Sequence, residues 1–325
     1  MEQLRELLTL LSDGRSYSGE EIGAQLNVTR AAVWKQIKKL ESIGIPIEAC
    51  RGKGYRIVDG LSLLHEETIG RLISTDSARY LKALHVFGEL NSTNDLALQR
   101  VQMEGASGHV FLAESQLQGK GRRGKHWVSP FGANIYMSLV MHFDHGAAAI
   151  EGLSLAVGVA VAQALDLIGV PAVRLKWPND VLWDGCKLGG ILLELVGDPM
   201  GACDVVVGVG LNVNMPKLCQ PAIDQPWIDL RQIRGGLVDR NSVAAALINQ
   251  LLPMLATYQG RGFAYYRHQW EQLDAMRDKP VVLTLSQHQI EGVARGVDEG
   301  GAIRIEAQGV LRSYPAGDVS LRVAQ

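Results

Sequence analysis

Between residues 91 and 214, four short stretches carry residue types that could do chemistry. The first is QLQGKGRRGKHW, Gln116 to Trp127, with three glycines, four Lys/Arg and no acidic residue. Gln116, Lys120, Arg122 and Arg123 offer amide and cationic donors. Arginine grips phosphate through a planar fork, and lysine acts as a point charge. Glycine lets the backbone approach a ligand closely. The stretch lacks Walker spacing, and His126-Trp127 with Pro130 argues against a G-x-G-x-x-G turn opening a helix. A phosphate loop and a solvated basic loop fit it equally. The second stretch is NSTND, Asn91 to Asp95. Ser92 and Asp95 have capping-box spacing, so a helix starts here with N–H groups facing outward. Such an end suits an amide-like or anionic small molecule, although taken alone it reads first as a simple cap. The third is RLKWPNDVLWDGCKLGGILLEL. Asp184-Gly185 predicts a two-residue hairpin that pairs VLW with CKLGGILLEL. Lys187 lies just beyond it, among small and apolar residues. It either guards an edge strand or neutralises a buried anion. The fourth, GVGLNVN, Gly208 to Asn214, ends a strand in Gly and Asn, which suggests close backbone approach to a ligand.

These stretches must be held by a larger frame. The strand candidates are VFLAES, NIYMSLVM, VRLKW, GILLEL and VVVGVGLNV; the helix candidates are Asn94–Met103, Leu153–Ile168 and Ser242–Tyr258. Strand and helix do not alternate regularly, so we expect an α+β fold with a mixed sheet. The 325 residues suffice for two or three domains. A net charge of −2 confines any nucleic-acid surface to local clusters. Cys50, Cys186, Cys203 and Cys219 form neither a disulfide framework nor a zinc pattern, which points to a reducing, cytoplasmic compartment. The N-terminus lacks the basic region and cleavage site of a signal peptide. The longest apolar run, Gly152 to Ala162, is too short to span a membrane.

The first sixty residues differ in character. Leu4, Leu7, Leu8 and Leu11 mark one helix face. Ser18 and Glu21 have capping-box spacing for a second helix, which Asn27 breaks. Thr29 caps a third, with Val33, Ile37 and Leu40 as its buried stripe and Gly44 after its end. IPIEAC, RGKG and YRIV then predict a β-hairpin wing. From Val28 to Arg56 there are seven Lys/Arg against Glu41 and Glu48, a local +5. Helix order, wing and basic face point to DNA binding, with a solvated protein-interaction module as the alternative. On this reading Arg30, Ala31, Trp34 and Lys35 lie nearest the bases. Thr29 and Lys38 flank them, and Arg51 and Lys53 on the wing touch phosphate. At the other end, short strands after Asp274 read as a small barrel, where Arg295, Arg304 and Arg312 are solvated by default.

Taken in order, these segments resemble the bifunctional biotin protein ligase and biotin-operon repressor family, the BirA family. The resemblance covers nearly the whole chain. It rests on SGEEIGAQLNVTRAAVWKQIKKL, STN, QLQGKGRRGKHWVSPFGANIYMSL, KWPNDV, KLGGILLE, GVGLNVN and a small C-terminal β domain. It implies a winged helix-turn-helix DNA-binding domain at 1–62, a mixed-sheet biotin/ATP-binding catalytic domain at 63–274 and an SH3-like β-barrel at 275–325. It implies that biotin and MgATP give biotinyl-5′-AMP and pyrophosphate. Biotin then passes to a lysine of an acceptor domain such as the biotin carboxyl carrier protein of acetyl-CoA carboxylase. It also implies an adenylate-bound homodimer on operator DNA, repressing biotin biosynthesis with biotinyl-5′-AMP as corepressor.

The resemblance assigns residues as well. Ser92, Thr93, Asn94 and Gln116 would hold the biotin ring. Gly119 to Arg122, with Lys120, Gly121 and Arg122 in contact with biotin, would cover biotin and the phosphate, and Lys187 would meet the carboxylate or its adenylate. Arg122, Arg123, Trp127, Asn212 and Trp227 would surround the nucleotide, with Trp227 stacked on adenine. Lys176 would reach phosphate. Asp180 would assist the acceptor lysine as base or by orientation, or serve only as a helix or turn cap. No nucleophilic side chain and no protein-held metal is expected. Two positions depart from the family pattern: Lys120 stands for an arginine and Asn91 for an aspartate, which we expect to tune affinity or adenylate retention. The alternatives are a ligand-sensing regulator without ligase activity, a ligase whose winged helix no longer binds its operator, and a lipoate ligase.

Overall fold

The computed structural model describes residues 2–146, 150–198, 201–216, 223, 225–285, 288–317 and 319–323. Cys219 lies outside the described residues.

The N-terminal part follows its local signals. Helices α1 (Glu2–Leu11), α2 (Gly19–Gln25) and α3 (Arg30–Ser42) are followed by strands β1 (Ile47–Cys50) and β2 (Gly54–Ile57). The reciprocal capping box of Ser18 and Glu21 forms, and Thr29 Oγ1 accepts from Ala32 N at 3.2 Å. Leu7, Leu11, Ile22, Val33, Ile37 and Leu40 make a separate core. The wing leans on Tyr17, which bridges to Tyr55. Gly54, at φ +94°, sits where a Cβ would lie 1.9 Å from Tyr17 O, so the wing needs glycine there.

The central part contains α4 (Glu66–Arg71), α5 (Thr75–Ala78), β3 (Ala83–Leu90), α6 (Thr93–Glu104), β4 (His109–Gln116), β5 (Ile135–Phe143), α7 (Leu153–Leu167), β6 (Val173–Lys176), β7 (Asp180–Trp183), β8 (Cys186–Gly197), β9 (Cys203–Leu211), α8 (Leu230–Arg234) and α9 (Arg240–Leu273). The sheet order is β3-β4-β5-β9-β8-β7-β6. Only β3 and β4 run parallel, which is the mixed sheet expected. Helices α7 and α9 pack the apolar core against one face, and α6 covers part of the other. No described helix is long and apolar enough to cross a membrane.

Two expectations need correction. Strand β3 was not among the candidates. Helix α9 runs well past Tyr258, because Gly262 kinks it rather than ending it (φ 63°, ψ 179°). Beyond the kink, Phe263, Tyr266 and Trp270 resume a helical stripe into the core.

The C-terminal part is a five-stranded antiparallel sheet of β10 (Pro280–Leu285), β11 (His288–Val297), β12 (Ile303–Ala307), β13 (Val310–Tyr314) and β14 (Val319–Val323), ordered β13-β12-β11-β10-β14. Asp274 sits at its junction with α9. Its Oδ1 accepts from Met276 N at 2.8 Å, while its Oδ2 is buried without a hydrogen-bond partner. Burial pushes this carboxyl up to about 6, against the backbone bond from Met276. The fold therefore prefers the protonated acid, and stability falls as pH rises from the ordinary carboxylate value through about 6. Asp274→Asn keeps the Met276 bond. It should raise stability at pH 8 by about 1–3 kcal/mol and have little effect near pH 4, measured by urea unfolding at both.

Two polar clamps join the N-terminal and central parts across residues 59–65. Asp59 pairs with Arg231 at 2.8 Å. The fully buried Arg240 donates Nε to Ser62 O at 2.7 Å and NH1 to Asn134 O at 2.8 Å, and its guanidinium pairs with Glu114. Glu114 Oε1 accepts from Leu64 N at 2.7 Å. Asn241 binds Leu63 O and His65 N, both at 2.8 Å.

Candidate active site

Strands β4, β5, β9, β8 and β7 bring one end to a cavity of about 290 Å³. It gathers Ser92, Thr93, Asn94, Gln116, Lys120, Gly121, Arg122, Arg123, Trp127, Lys176, Asp180, Lys187, Asn212 and Trp227; of the loop expected to cover substrate, Gly119 is not in the lining.

One end is lined with amides and hydroxyls. Ser92 caps α6, accepting from Asp95 N at 3.5 Å; no return bond from Asp95 closes the box. Thr93 N donates to Gln116 Oε1 at 2.9 Å, and Gln116 Nε2 to Ser129 Oγ at 3.1 Å. Ser138 Oγ lies 2.8 Å from Thr93 Oγ1 and 2.6 Å from Asn94 Oδ1, and Asn94 Nδ2 donates to Glu194 Oε2 at 2.6 Å. Ser92, Thr93, Asn94 and Ser138 are buried, so this network fixes donors and acceptors before a ligand arrives. Gly208 makes room for it: a Cβ there would come 2.4 Å from Asn94 Oδ1.

The Gln116–Trp127 stretch is a tight cover, neither a Walker loop nor an open coil. Gly121 N donates to Lys125 O at 2.7 Å and Trp127 N to Gly119 O at 2.8 Å, with a bridge between Lys120 and His126. Arg123 takes φ 58° at its tip. Lys120 pairs with Asp95, and Arg122 reaches Asn179 Oδ1 at 3.4 Å and the carbonyl of Gly317. The Trp127 ring packs against Gly190 and Gly210, where a Cβ would come within 3.2 Å and 2.6 Å of it.

The Asp184-Gly185 turn forms with both residues at positive φ, as predicted. Leu182 pairs with Lys187, then a bulge shifts the register so that Val181 pairs with Gly189. Strand β8 lies inside the sheet, so Lys187 is no edge guard. Its Nζ is 2.7 Å from Asp180 Oδ1 and 5.5 Å from the Trp127 ring centre. Lys176 Nζ is 3.7 Å from Asp180 Oδ2. Asp180 is thus a strand residue between two lysines and caps no helix or turn. Burial holds Lys176 below its usual pKa; Asp180 opposes, while Lys187 and Arg322 add to the lowering. Asn212 Nδ2 donates to Lys187 O at 3.3 Å and Ile228 O at 3.1 Å, which fixes the segment carrying Trp227 beside the hairpin.

Charge defines the rest of the cavity. Lys120, Arg122, Arg123, Lys125, Lys176, Lys187 and Arg322 line it, against Asp180 alone among described carboxylates. Such a surplus needs a polyanion to offset it. No group of described residues forms a metal site, and the one carboxylate in the cavity is held by two lysines. Sequence reasoning missed Arg322, which β14 delivers, and Asn179. Asn179 stands within KWPNDV but is not singled out there, and Arg322 lies in no quoted motif. Arg295, by contrast, pairs with Asp278 and Glu306.

At the other end of the chain, Thr29, Arg30, Ala31, Trp34, Lys35, Lys38, Arg51 and Lys53 are all exposed on α3 and the wing. Glu41 and Glu48 pair with Lys38 and Arg56.

The Biotin/lipoate A/B protein ligase family model matches residues 86–212. An HTH domain matches 3–56, and the Biotin protein ligase C terminal domain matches 278–322. The bifunctional ligase/repressor BirA of Escherichia coli (strain K12) is 38% identical over 98% of this chain and 97% of its own. The chain belongs to the bifunctional biotin ligase and repressor family. The Bacillus subtilis (strain 168) member of that family is 28% identical over 98% of each chain. A solved biotin protein ligase from Aquifex aeolicus, in complex with biotin and ATP, superposes with TM-score 0.64 and 28% identity, covering 75% of this chain and all of that one. The family's ligase segment coincides with the strands that line the cavity.

Proposed function

We infer that this chain is a biotin protein ligase and a DNA-binding repressor. It forms biotinyl-5′-AMP from biotin and MgATP, then transfers biotin to a lysine of an acceptor protein. The observation that carries the reading is the cavity itself, with a fixed amide and hydroxyl end joined to a strongly cationic end.

The ureido ring of biotin occupies the end formed by Ser92, Thr93, Asn94 and Gln116. Lys120, Gly121 and Arg122 cover it. The carboxylate lies toward Lys187 and attacks the α-phosphorus, forming a P–O bond as the bond to pyrophosphate breaks. Lys187, Lys176 and Arg122 offset the negative charge that crowds there, with Arg322 beside them. The magnesium ion supplies further charge neutralisation on the phosphates it accompanies. Arg123, Trp127, Asn212 and Trp227 surround the nucleotide, with Trp227 against adenine. In the second step the acceptor amine attacks the acyl carbon and AMP leaves. Asp180 orients that amine or takes its proton.

Residues 1–62 form the DNA-binding unit, with 63–274 as the catalytic and 275–325 as the C-terminal unit. Arg30, Ala31, Trp34 and Lys35 face the bases, flanked by Thr29 and Lys38, while Arg51 and Lys53 touch phosphate. The adenylate-bound protein is a cytoplasmic homodimer, and the acceptor is the biotin carboxyl carrier protein of acetyl-CoA carboxylase.

Biotin-dependent ATP–pyrophosphate exchange tests the ligase. We expect exchange with biotin and none with lipoate; the reverse would redirect the reading to a lipoate ligase. For the repressor, a footprint upstream of biotin genes should tighten with biotin plus ATP. Binding through about six phosphate contacts should weaken roughly a thousandfold between 50 and 200 mM salt. Salt-insensitive binding would remove that role.

A further inference from the structure

The cover over the cavity is tied at two places outside itself. Arg122 reaches Asn179 and Gly317, and Lys120 pairs with Asp95 in the first turn of α6. Asp95 does not line the cavity. Its backbone N–H belongs to the Ser92 cap, and its carboxylate is turned toward the loop. The bond from Asp95 raises the Lys120 pKa, burial opposes it, and Glu194 adds to the rise.

We propose that Asp95 is a positioning residue that latches the cover loop. Its salt bridge to Lys120 holds Gly119–Arg123 against the N-terminus of α6, over the amide-lined end of the cavity. Lys120 is then a clasp, and Lys187 is the lysine that meets the substrate carboxylate. This rests on the ligase reading and gives the two lysines different work. Their settings agree with it. Lys187 is 17% exposed and lies deep, between Asp180 and Trp127. Lys120 is 44% exposed, and its ammonium is directed at a carboxylate outside the cavity. A half-exposed ion pair adds little to global stability. A loop, however, opens and closes between states of similar free energy, so a small bias changes its closed fraction severalfold. At this position a lysine reaching one carboxylate needs no bidentate fork, which accounts for an arginine being dispensable there.

The test uses Asp95→Asn in the full chain, which keeps the backbone cap and removes the charge. Biotin release, followed by stopped-flow tryptophan fluorescence, should be about fivefold faster than in the parent at low salt. Raising salt should bring the parent toward the variant, because screening removes the same charge pair. Lys120→Met should match Asp95→Asn, and the double variant should release biotin no faster than either. Without ligand, trypsin should cut within 120–125 faster in Asp95→Asn. The exchange rate at saturating biotin should stay within about twofold, since the latch acts on binding. Parental release from Asp95→Asn, additive single effects, or a Lys120→Met effect far larger than that of Asp95→Asn would each overturn the latch. Absence of exchange in the parent would instead strike the ligase reading, while the trypsin comparison still tests the latch.

Discussion

Lys187→Ala should lower biotin-dependent pyrophosphate exchange by about 100- to 1,000-fold while leaving the fold in place. Lys187 is a lining cation of the cavity, held 2.7 Å from Asp180 and over Trp127. Its removal takes away charge where the biotin carboxylate must approach an anionic phosphate. It also leaves Asp180 with only Lys176, at 3.7 Å, so a modest fall in thermal stability should accompany the loss. Lys187→Arg should rescue poorly. A planar fork in place of a point charge would change both the contact with Asp180 and the approach to the Trp127 ring. Near-normal exchange in Lys187→Ala, with circular dichroism unchanged, would remove this lysine from the chemistry.

Arg240→Met should cost about 3–5 kcal/mol, the largest stability loss expected from a single substitution outside the cavity. The guanidinium is fully buried and serves Ser62 O, Asn134 O and Glu114 at once. Methionine fills similar volume but strands a buried carboxylate and two carbonyls. Arg240→Met combined with Glu114→Gln should recover part of the loss in urea unfolding, because no unpaired charge is left behind. Full additivity of the two substitutions would mean that the pair is not coupled.

The parts of this molecule that were legible in the sequence are those whose signals are local. The Ser18–Glu21 box, the Thr29 cap and the Leu/Ile/Val stripes each lie within one helix, so the winged helix could be read directly. Asp184-Gly185 set the register that brings Lys187 opposite Leu182. Strand β3 escaped because it is an edge strand with an almost uniformly half-buried pattern, without the alternation that marks a face. The end of α9 escaped because Gly260 and Gly262 look like stops, and only packing of Phe263 and Trp270 carries the helix onward. Arg322 and Arg240 escaped for a different reason. Each acts on residues more than a hundred positions away, and nothing beside them in the chain announces it.

The clamps at residues 59–65 bear on how such a molecule meets DNA. A winged helix on a slack tether samples many orientations, and each binding event must freeze them. Here Ser62, Leu63, Leu64 and His65 are already bonded to Arg240, Asn241 and Glu114. That ordering is completed when the catalytic domain folds. In the proposed dimer the distance between the two recognition helices would therefore be set by how the two copies meet, and the pair would act on its operator as a caliper of preset width.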